Sequence, residues 1–559
     1  MFYSKINQIT FNNGESLDIQ PNDIVIFVGP NNSGKSQSLR DIFSLAGEKT
    51  NPIVIKNVSI LKGNSDELKT EITNHSKKLN ASNPNQIRYI GYNYDIYGWQ
   101  LQAYNNGEKL MDSIRNYLIS YLKTEERLTI SDPPKAVDRN DSWSHPIHYL
   151  VFEGEYRNKI SYYFKEAFGY ELTPNYVSRK TVSLCLGETP HMNAGDAPAI
   201  MEQLENLFAS YPKLHEQGDG MRSFAGVVLH LILKNYGVFL IDEPESFLHP
   251  PQARILGKVV GELIGTDRQA FIATHSEDII KGLMEVCSSR IKVIRISREG
   301  NNNHFALLRN EEFHNIWDDS LLRHSNIMKS LFHKNVVLCE SDSDCSFYSI
   351  ILDYLKSLEG SYSETLFIHC GGKQRMKQVV MALRSLSIEF RCVPDIDVLN
   401  DKNIIKGLYE ACGGTWGAEM ETAYTRFSSN LNAGHDSITK QELRTSFEQA
   451  ISGFDNEELT SAEVKRLSSQ LRLENKWAML KSGGQAVIPA GQATVAFNEL
   501  NSAFQSVNLF VVPVGELERF VPEEGGHGPA WLNSVLENYK DIGGDVFKAA
   551  RDFVSSWRL

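Results

Sequence analysis

Two groups of residues in this 559-residue chain have types and spacing that could do chemistry. The first is acidic. Glu340 closes the apolar run Val336-Val337-Leu338, and Asp395 and Asp397 close the run Phe390 to Val393. Carboxylates at neighbouring strand ends can converge on a divalent cation. The second group is Gly29-Pro30-Asn31-Asn32-Ser33-Gly34-Lys35-Ser36, which fits G-x-x-x-x-G-K-S and lies between the apolar run Ile24 to Val28 and a helical pattern of Leu39, Ile42, Phe43 and Leu45. In that setting the backbone from Gly29 through Asn31, Asn32, Ser33 and Gly34 curls around phosphates. Lys35 then supplies charge to the outer phosphates, and Ser36 ligates magnesium.

Two further strand ends extend the phosphate site. Val238 to Ile241 runs into Asp242-Glu243-Pro244, where Asp242 suits the magnesium shell and Glu243 the polarisation of an attacking water. Ala270 to Ala273 runs into Thr274-His275-Ser276, and His275 reads as a γ-phosphate sensor, with capping of the next helix as the alternative. These residues resemble ABC-type ATPases of the SMC and RecF kind. Asp242 to Glu245 with Phe247-Leu248-His249-Pro250 matches their Walker B and D-loop region, and His275 matches their switch histidine. The resemblance implies ATP with Mg2+ and a signature loop that completes the site of another subunit. Gly218-Asp219-Gly220-Met221-Arg222-Ser223, ahead of a helix expected at Phe224 to Leu233, is the candidate, although it departs from Ser-Gly-Gly-Gln. Gly218 and Gly220 suit phosphate approach, and a loop capped by Asp219 is the alternative. A homodimer or larger homo-oligomer follows if this segment is the signature. No long heptad region separates Lys35 from Asp242, which disfavours a long coiled coil.

The elements that position these groups predict an α/β protein. Residues 1–310 read as an ABC-like P-loop ATPase domain with an insert at about 60–215 as a dimerisation region. Residues 311–334 read as a helical connector, 335–525 as a parallel α/β domain with a helical insert at about 403–475, and 526–559 as C-terminal helices. In the second domain, Glu340, Asp395 and Asp397 resemble the Glu and Asp-x-Asp motifs of a Toprim domain, which implies Mg2+, with Mn2+ as the alternative, and work on phosphodiesters. Asp344 fits the second acidic position of the nuclease version, with helix capping as its bland reading. Ser341 stands where the family generally has Gly. The same resemblance implies a late lysine and a late acidic strand end, for which Lys481 and either Glu518 or Glu516 are the candidates. Lys373, after Gly371-Gly372, either touches a phosphate or ends a turn.

Composition narrows the partners. Fifty-seven Lys and Arg against sixty-nine Asp and Glu give a net charge of −12, so any DNA contact needs a local basic patch. The aromatic stretch Arg88 to Trp99, and Tyr149 to Phe168 with Arg157, Lys159 and Lys165, could stack on nucleic acid or be core strands with a solvated face. No apolar run approaches the roughly 20 residues of a membrane span, and Met1 to Lys5 opens no signal peptide, so a cytoplasmic protein without a membrane partner is expected. Seven scattered Cys without CxxC spacing read as reduced buried thiols. Residues 436–442 and 455–463 read as capping boxes rather than calcium loops.

An ABC-type ATPase joined to a C-terminal Toprim domain resembles the OLD (overcoming lysogenization defect) nuclease family, which includes antiphage effectors. The resemblance implies a DNA endonuclease gated by the ATPase state, with DNA as substrate. It also admits a second defence component such as a retron reverse transcriptase with its RNA–DNA hybrid. The alternative is a DNA- or partner-bound ATPase scaffold whose Toprim domain does not cut. A strand-passing topoisomerase is disfavoured, because none of the 22 tyrosines sits in a convincing nucleophile context.

Overall fold

The computed structural model describes residues 4–47, 51–139, 141, 143–190, 197–233, 236–300, 302–308, 326–432, 440–451, 460, 464 and 476–559. The chain divides into two compact units, Met1–Asn315 and Ile316–Leu559.

The first unit is built on a six-stranded sheet, in the order Asn302–Leu307, Ile291–Glu299, Ile24–Val28, Gln269–Ala273, Val238–Asp242, Ile119–Leu122. All pairs are parallel except the first, which is an antiparallel hairpin. Its central strands are apolar at nearly every position because both faces are covered; Ile24 to Val28 are all fully buried. The strand Ile119–Leu122 lies inside the stretch expected as an insert, yet it forms the sheet edge beside Val238–Asp242. A second, antiparallel sheet carries Lys5–Phe11 between Ser16–Asp18 and Ile55–Leu61.

The small sheet Lys77–Leu79, Arg88–Gly91, Tyr94–Tyr97 turns Tyr89, Tyr94 and Ile96 into the same core as Phe27 and Leu39. Tyr89 and Tyr94 are therefore core residues and are not available to nucleic acid, whereas Tyr97 and Trp99 remain exposed. In the helix Gly154–Phe168, Lys159 and Lys165 are each paired with a glutamate at 2.9 Å, Glu155 and Glu171, which cancels much of the basic character read there. Of the expected connector, residues 311–325 lie outside the described residues; Asn326–Phe332 forms a 3-10 turn.

In the second unit Asn335–Cys339 lies between Thr365–His369 and Glu389–Val393, all parallel. The helices Asp342–Leu358 and Lys373–Ser385 make the crossovers that parallel pairing requires. Leu509 to Val512 extends the sheet beside Glu389–Val393: the Cys392 carbonyl accepts from Phe510 N–H at 2.8 Å and the Pro394 carbonyl from Val512 N–H at 3.0 Å. Pro513, which has no N–H, ends this pairing. The core gathers Phe347, Tyr348, Phe520, Trp531, Phe553 and Trp557. Each fully buried ring of that size stabilises the unit by roughly 2–3 kcal/mol.

The helices Lys402–Cys412, Ala418–Asn432 and Lys440–Ile451 occupy the region expected as a helical insert. Most of 461–473, and most of the capping boxes read at 436–442 and 455–463, lie outside the described residues. The chain returns through the helix Lys476–Gly483 and finishes with helices Gly528–Asn538 and Lys548–Ser555. All seven cysteines are unpaired and buried. Among the described residues, no helix is long and apolar enough to cross a membrane.

Candidate nucleotide and metal sites

The P-loop links the end of Ile24–Val28 to the helix Lys35–Ala46. Gly29 has φ 145°, and a Cβ there would lie 2.0 Å from the Ile296 carbonyl oxygen, so only glycine fits. Gly34 takes φ 106° and Asn32 φ 57°, which folds the loop back on itself. Lys35 Nζ donates to the carbonyls of Gly29 at 2.9 Å and Pro30 at 2.7 Å. Burial lowers its pKa to about 8, against the pull of Glu243, Glu245 and Asp242.

Asp242 is buried, and its Oδ1 has no hydrogen-bond partner. Burial raises its carboxyl pKa, while a hydrogen bond from Ser36 works against the rise. An uncommitted carboxylate oxygen next to a hydroxyl is a donor set that fits Mg2+. Glu243, one residue beyond the strand, has φ 46°, and its Oε1 lies 3.6 Å from His275 Nε2. Burial, followed by the Lys35 charge, lowers His275 to about 4, so its ring is neutral at physiological pH. The capping role weighed for His275 belongs to Ser276, whose Oγ accepts from the N–H groups of Asp278 and Ile279. The His275 N–H instead donates to Glu245 at 2.6 Å.

Gly218 to Ser223 is not a loop ahead of a helix at Phe224. Gly218 is the N-cap, and the helix Asp219–Leu231 already includes Gly220 and Ser223. Asp219 in the first turn favours the positive helix end. Gly220 is needed for packing, because a Cβ there would sit 2.6 Å from the Phe247 carbonyl oxygen.

In the second unit, Glu340, Asp395 and Asp397 each present an oxygen, and these atoms lie within 4.8 Å of one another. The Asp395 N–H donates to Glu340 Oε1 at 3.1 Å. Burial, then Asp397, pushes Glu340 up to about 7; burial, then Glu340, Asp344 and Asp397, raises Asp395 well above the usual carboxylate range. Carboxylates held this close favour a bound cation. Lys373 Nζ lies 3.0 Å from Asp397 Oδ1, which places this lysine on the acidic cluster. Lys481 Nζ is 3.5 Å from Asp397 Oδ2 and 3.7 Å from Glu516 Oε2.

Lys481 is delivered by a close backbone contact. Gly515, at φ 113°, leaves room for no side chain, since a Cβ would meet the Lys481 carbonyl oxygen at 2.1 Å. Gly484, at φ 61°, is equally tight against the Pro513 carbonyl oxygen at 2.3 Å.

A second group, Glu516, Glu518 and His527, also brings its ligand atoms within 4.8 Å. Glu518 Oε1 accepts from the Gly528 N–H at 2.8 Å and lies 3.4 Å from His527 Nδ1. Sequence reasoning missed His527; the only available signal was a histidine set among Gly525, Gly526 and Gly528. Asp344 falls outside both groups. Its Oδ2 accepts from the Ser341 N–H at 2.8 Å and Ser341 Oγ accepts from the Asp344 N–H at 3.3 Å, a reciprocal cap of Asp342–Leu358. Ser341, which replaces the family's usual Gly, is thus the helix cap.

A family model described as "AAA domain, putative AbiEii toxin, Type IV TA system" matches residues 24–280. A second, "Overcoming lysogenization defect protein-like, TOPRIM domain", matches residues 331–397. The Old nuclease of Escherichia phage P2 is 22% identical over 305 residues, covering 52% of this chain and 50% of that protein. The chain thus spans about half the length of that curated relative. Among solved structures, an Smc head bound to the C-winged helix domain of ScpA aligns at 11% identity and a TM-score of 0.35, covering 56% of this chain and 99% of that one. The SMC head domain from Thermotoga maritima aligns at 11% and 0.30, covering 55% and 99%. The chain thus matches an ATPase domain followed by an OLD-like Toprim domain.

Proposed function

We propose that this protein is an ATP-hydrolysing, Mg2+-dependent DNA endonuclease of OLD type, with Mn2+ as an alternative ion, in which the ATPase state gates cleavage. The observation that carries the reading is the convergence of Glu340, Asp395 and Asp397 beside Lys481, with the carboxyls of Glu340 and Asp395 raised.

In the first unit, Lys35 exchanges its loop carbonyls for the outer phosphates of ATP, and Asp242 and Ser36 hold the nucleotide's magnesium. Glu243 orients water, and the neutral His275 ring contacts the γ-phosphate. In the second unit, Glu340, Asp395 and Asp397 hold one cation, and Glu516, Glu518 and His527 hold another. Divalent cations bound there supply charge stabilisation to the attacking and leaving oxygens of a phosphodiester. Lys481, ion-paired to both groups, turns toward a phosphoryl oxygen as the carboxylates engage cations.

The OLD-type architecture is the ground for reading an antiphage effector that assembles as a homo-oligomer; a retron reverse transcriptase with its RNA–DNA hybrid is a second component that the family resemblance alone admits. Plasmid incubated with the purified protein and Mg2+ or Mn2+, with and without ATP, tests the cut. Wild-type cleavage that Asp395→Ala abolishes supports the nuclease. Absent cleavage in every condition, or equal cleavage by Asp395→Ala, favours the non-cutting scaffold. Phage plating on cells expressing wild type or Asp395→Ala tests the defensive role, and co-purification with the products of neighbouring reading frames tests the partner.

A further inference from the structure

The strand Val238–Asp242 loses its edge partner before it ends, since pairing with Ile119–Leu122 stops at Ile241 and Leu122. The carbonyls of Asp242 and Glu243 lie beyond that point and need donors. One side chain supplies both. The chain turns into the helix Thr124–Thr129, and Arg127 reaches back: Nη1 donates to the Asp242 carbonyl at 2.9 Å and Nη2 to the Glu243 carbonyl at 3.0 Å. Nη2 is also 3.2 Å from Thr124 Oγ1, and the residue is fully buried.

Burying a guanidinium is costly unless its charge and fork are used. Here Asp242, Glu243 and Glu245 surround it. From the opposite edge, the Glu243 N–H donates to the Ala273 carbonyl at 2.8 Å. The Glu243 backbone is thus clamped on both sides, at φ 46°, a conformation a glutamate seldom adopts unaided.

The clamp has a second attachment. The helix Thr124–Thr129 packs on Asp219–Leu231 so closely that a Cβ on Gly226 would lie 2.3 Å from the Arg127 carbonyl oxygen. Arg222, on the same long helix, donates to the Leu128 carbonyl at 3.0 Å. The helix that starts at Gly218 therefore bears on the residue that fixes the Glu243 peptide.

We propose that Arg127 is a positioning residue for ATP hydrolysis, holding Glu243 in its left-handed posture and relaying movement of the helix Asp219–Leu231 to it. The inference rests on the ATPase reading above. The test measures kcat and KM for ATP, the Kd of a fluorescent ATP analogue and the unfolding temperature, in full-length wild type, Lys35→Ala, Arg127→Lys, Arg127→Met and Gly226→Ala. Turnover is expressed per folded molecule, counted from the amplitude of the unfolding transition, so that any loss of folded protein is divided out.

Arg127→Lys keeps the charge and loses the fork. Its kcat is expected to fall at least tenfold while KM and Kd stay within threefold. Arg127→Met is expected to fall further, and Gly226→Ala to lower kcat in the same way without touching the guanidinium. Turnover by Arg127→Lys and Arg127→Met within threefold of wild type, or a loss that tracks Kd, overturns the proposal. Unaltered turnover in Lys35→Ala overturns the ATPase reading itself, whereas turnover lost in Lys35→Ala and retained in both Arg127 variants overturns the relay alone.

Discussion

The nucleotide site and the acidic site obey one rule and differ in how they balance charge. Both sit where parallel strands end. The first sets Asp242, Glu243 and Glu245 against Lys35 and the buried Arg127, so acids and bases nearly match before any ligand arrives. The second collects Glu340, Asp395, Asp397, Glu516 and Glu518 around Lys373 and Lys481, and acids outnumber bases. The difference teaches that one site is balanced by the protein's own cations, while the other holds an excess of carboxylates that a divalent cation would balance.

The sharpest way to break this contrast is Asp395→Ala, which removes a carboxylate that no neighbour replaces. Plasmid cleavage is expected to fall about a thousandfold or more, measured as nicked and linear product against time. Lys35→Ala should cut ATP turnover by a comparable but smaller factor, roughly a hundredfold to a thousandfold, followed by phosphate release; a variant that still turns over ATP normally would remove the nucleotide site from the comparison. Lys481→Met should slow cleavage by roughly a hundredfold while leaving metal affinity, measured by calorimetry with Mn2+, close to wild type.

The fourth prediction concerns pH without metal. The folded Glu340 carboxyl titrates near 7, above its ordinary value, and Asp395 shifts the same way, so the folded unit binds more protons than the unfolded chain. Stability must then fall as pH rises through that window. In chelator, the second unit should melt roughly 3 °C or more lower at pH 8 than at pH 5.5, read by hydrogen exchange in Asn335–Cys339, and Mn2+ should restore it. In the first unit the lowered His145, His230 and His275 oppose the raised Asp242 and Glu245, so its stability should not follow the same fall as pH rises. The smallest effect belongs to His527, which is 77% exposed at the rim of the second group. His527→Ala should weaken Mn2+ half-saturation by only about threefold, and an unchanged value would confine that group to Glu516 and Glu518.

How much of this was legible in the sequence depended on whether a residue acts through a contiguous motif. Gly29 to Ser36 and Asp242-Glu243 carry their own context, because the loop, strand and helix that position them are adjacent in the chain. Glu340 and Asp397 required one inference, that parallel strands align their ends. Arg127 was invisible, because it works through backbone carbonyls more than a hundred residues away. Asp344 and Gly220 were read as site residues from family resemblance; Asp344 caps its helix while its charge still acts on Glu340 and Asp395, and Gly220 lies inside a helix rather than in a loop. At Tyr89 and Tyr94 the structure decides between the two alternatives in favour of the core, a choice that aromatic spacing alone could not make.

The paired glycines beneath Lys481 carry a consequence for how this chain can change. Between Asp397 and Lys481 the protein makes a helical excursion beginning at Lys402; Lys481 returns against Gly515 and Gly484, and Trp477 of its helix packs on Phe427 of the excursion with ring centroids 5.9 Å apart. Gly515 also accepts from the Ile396 N–H at 3.0 Å, between the two aspartates, so one residue fixes both the acids and the lysine. The fastening ties the acids and the lysine to one stretch of backbone, so a side chain at Gly515 would displace both together.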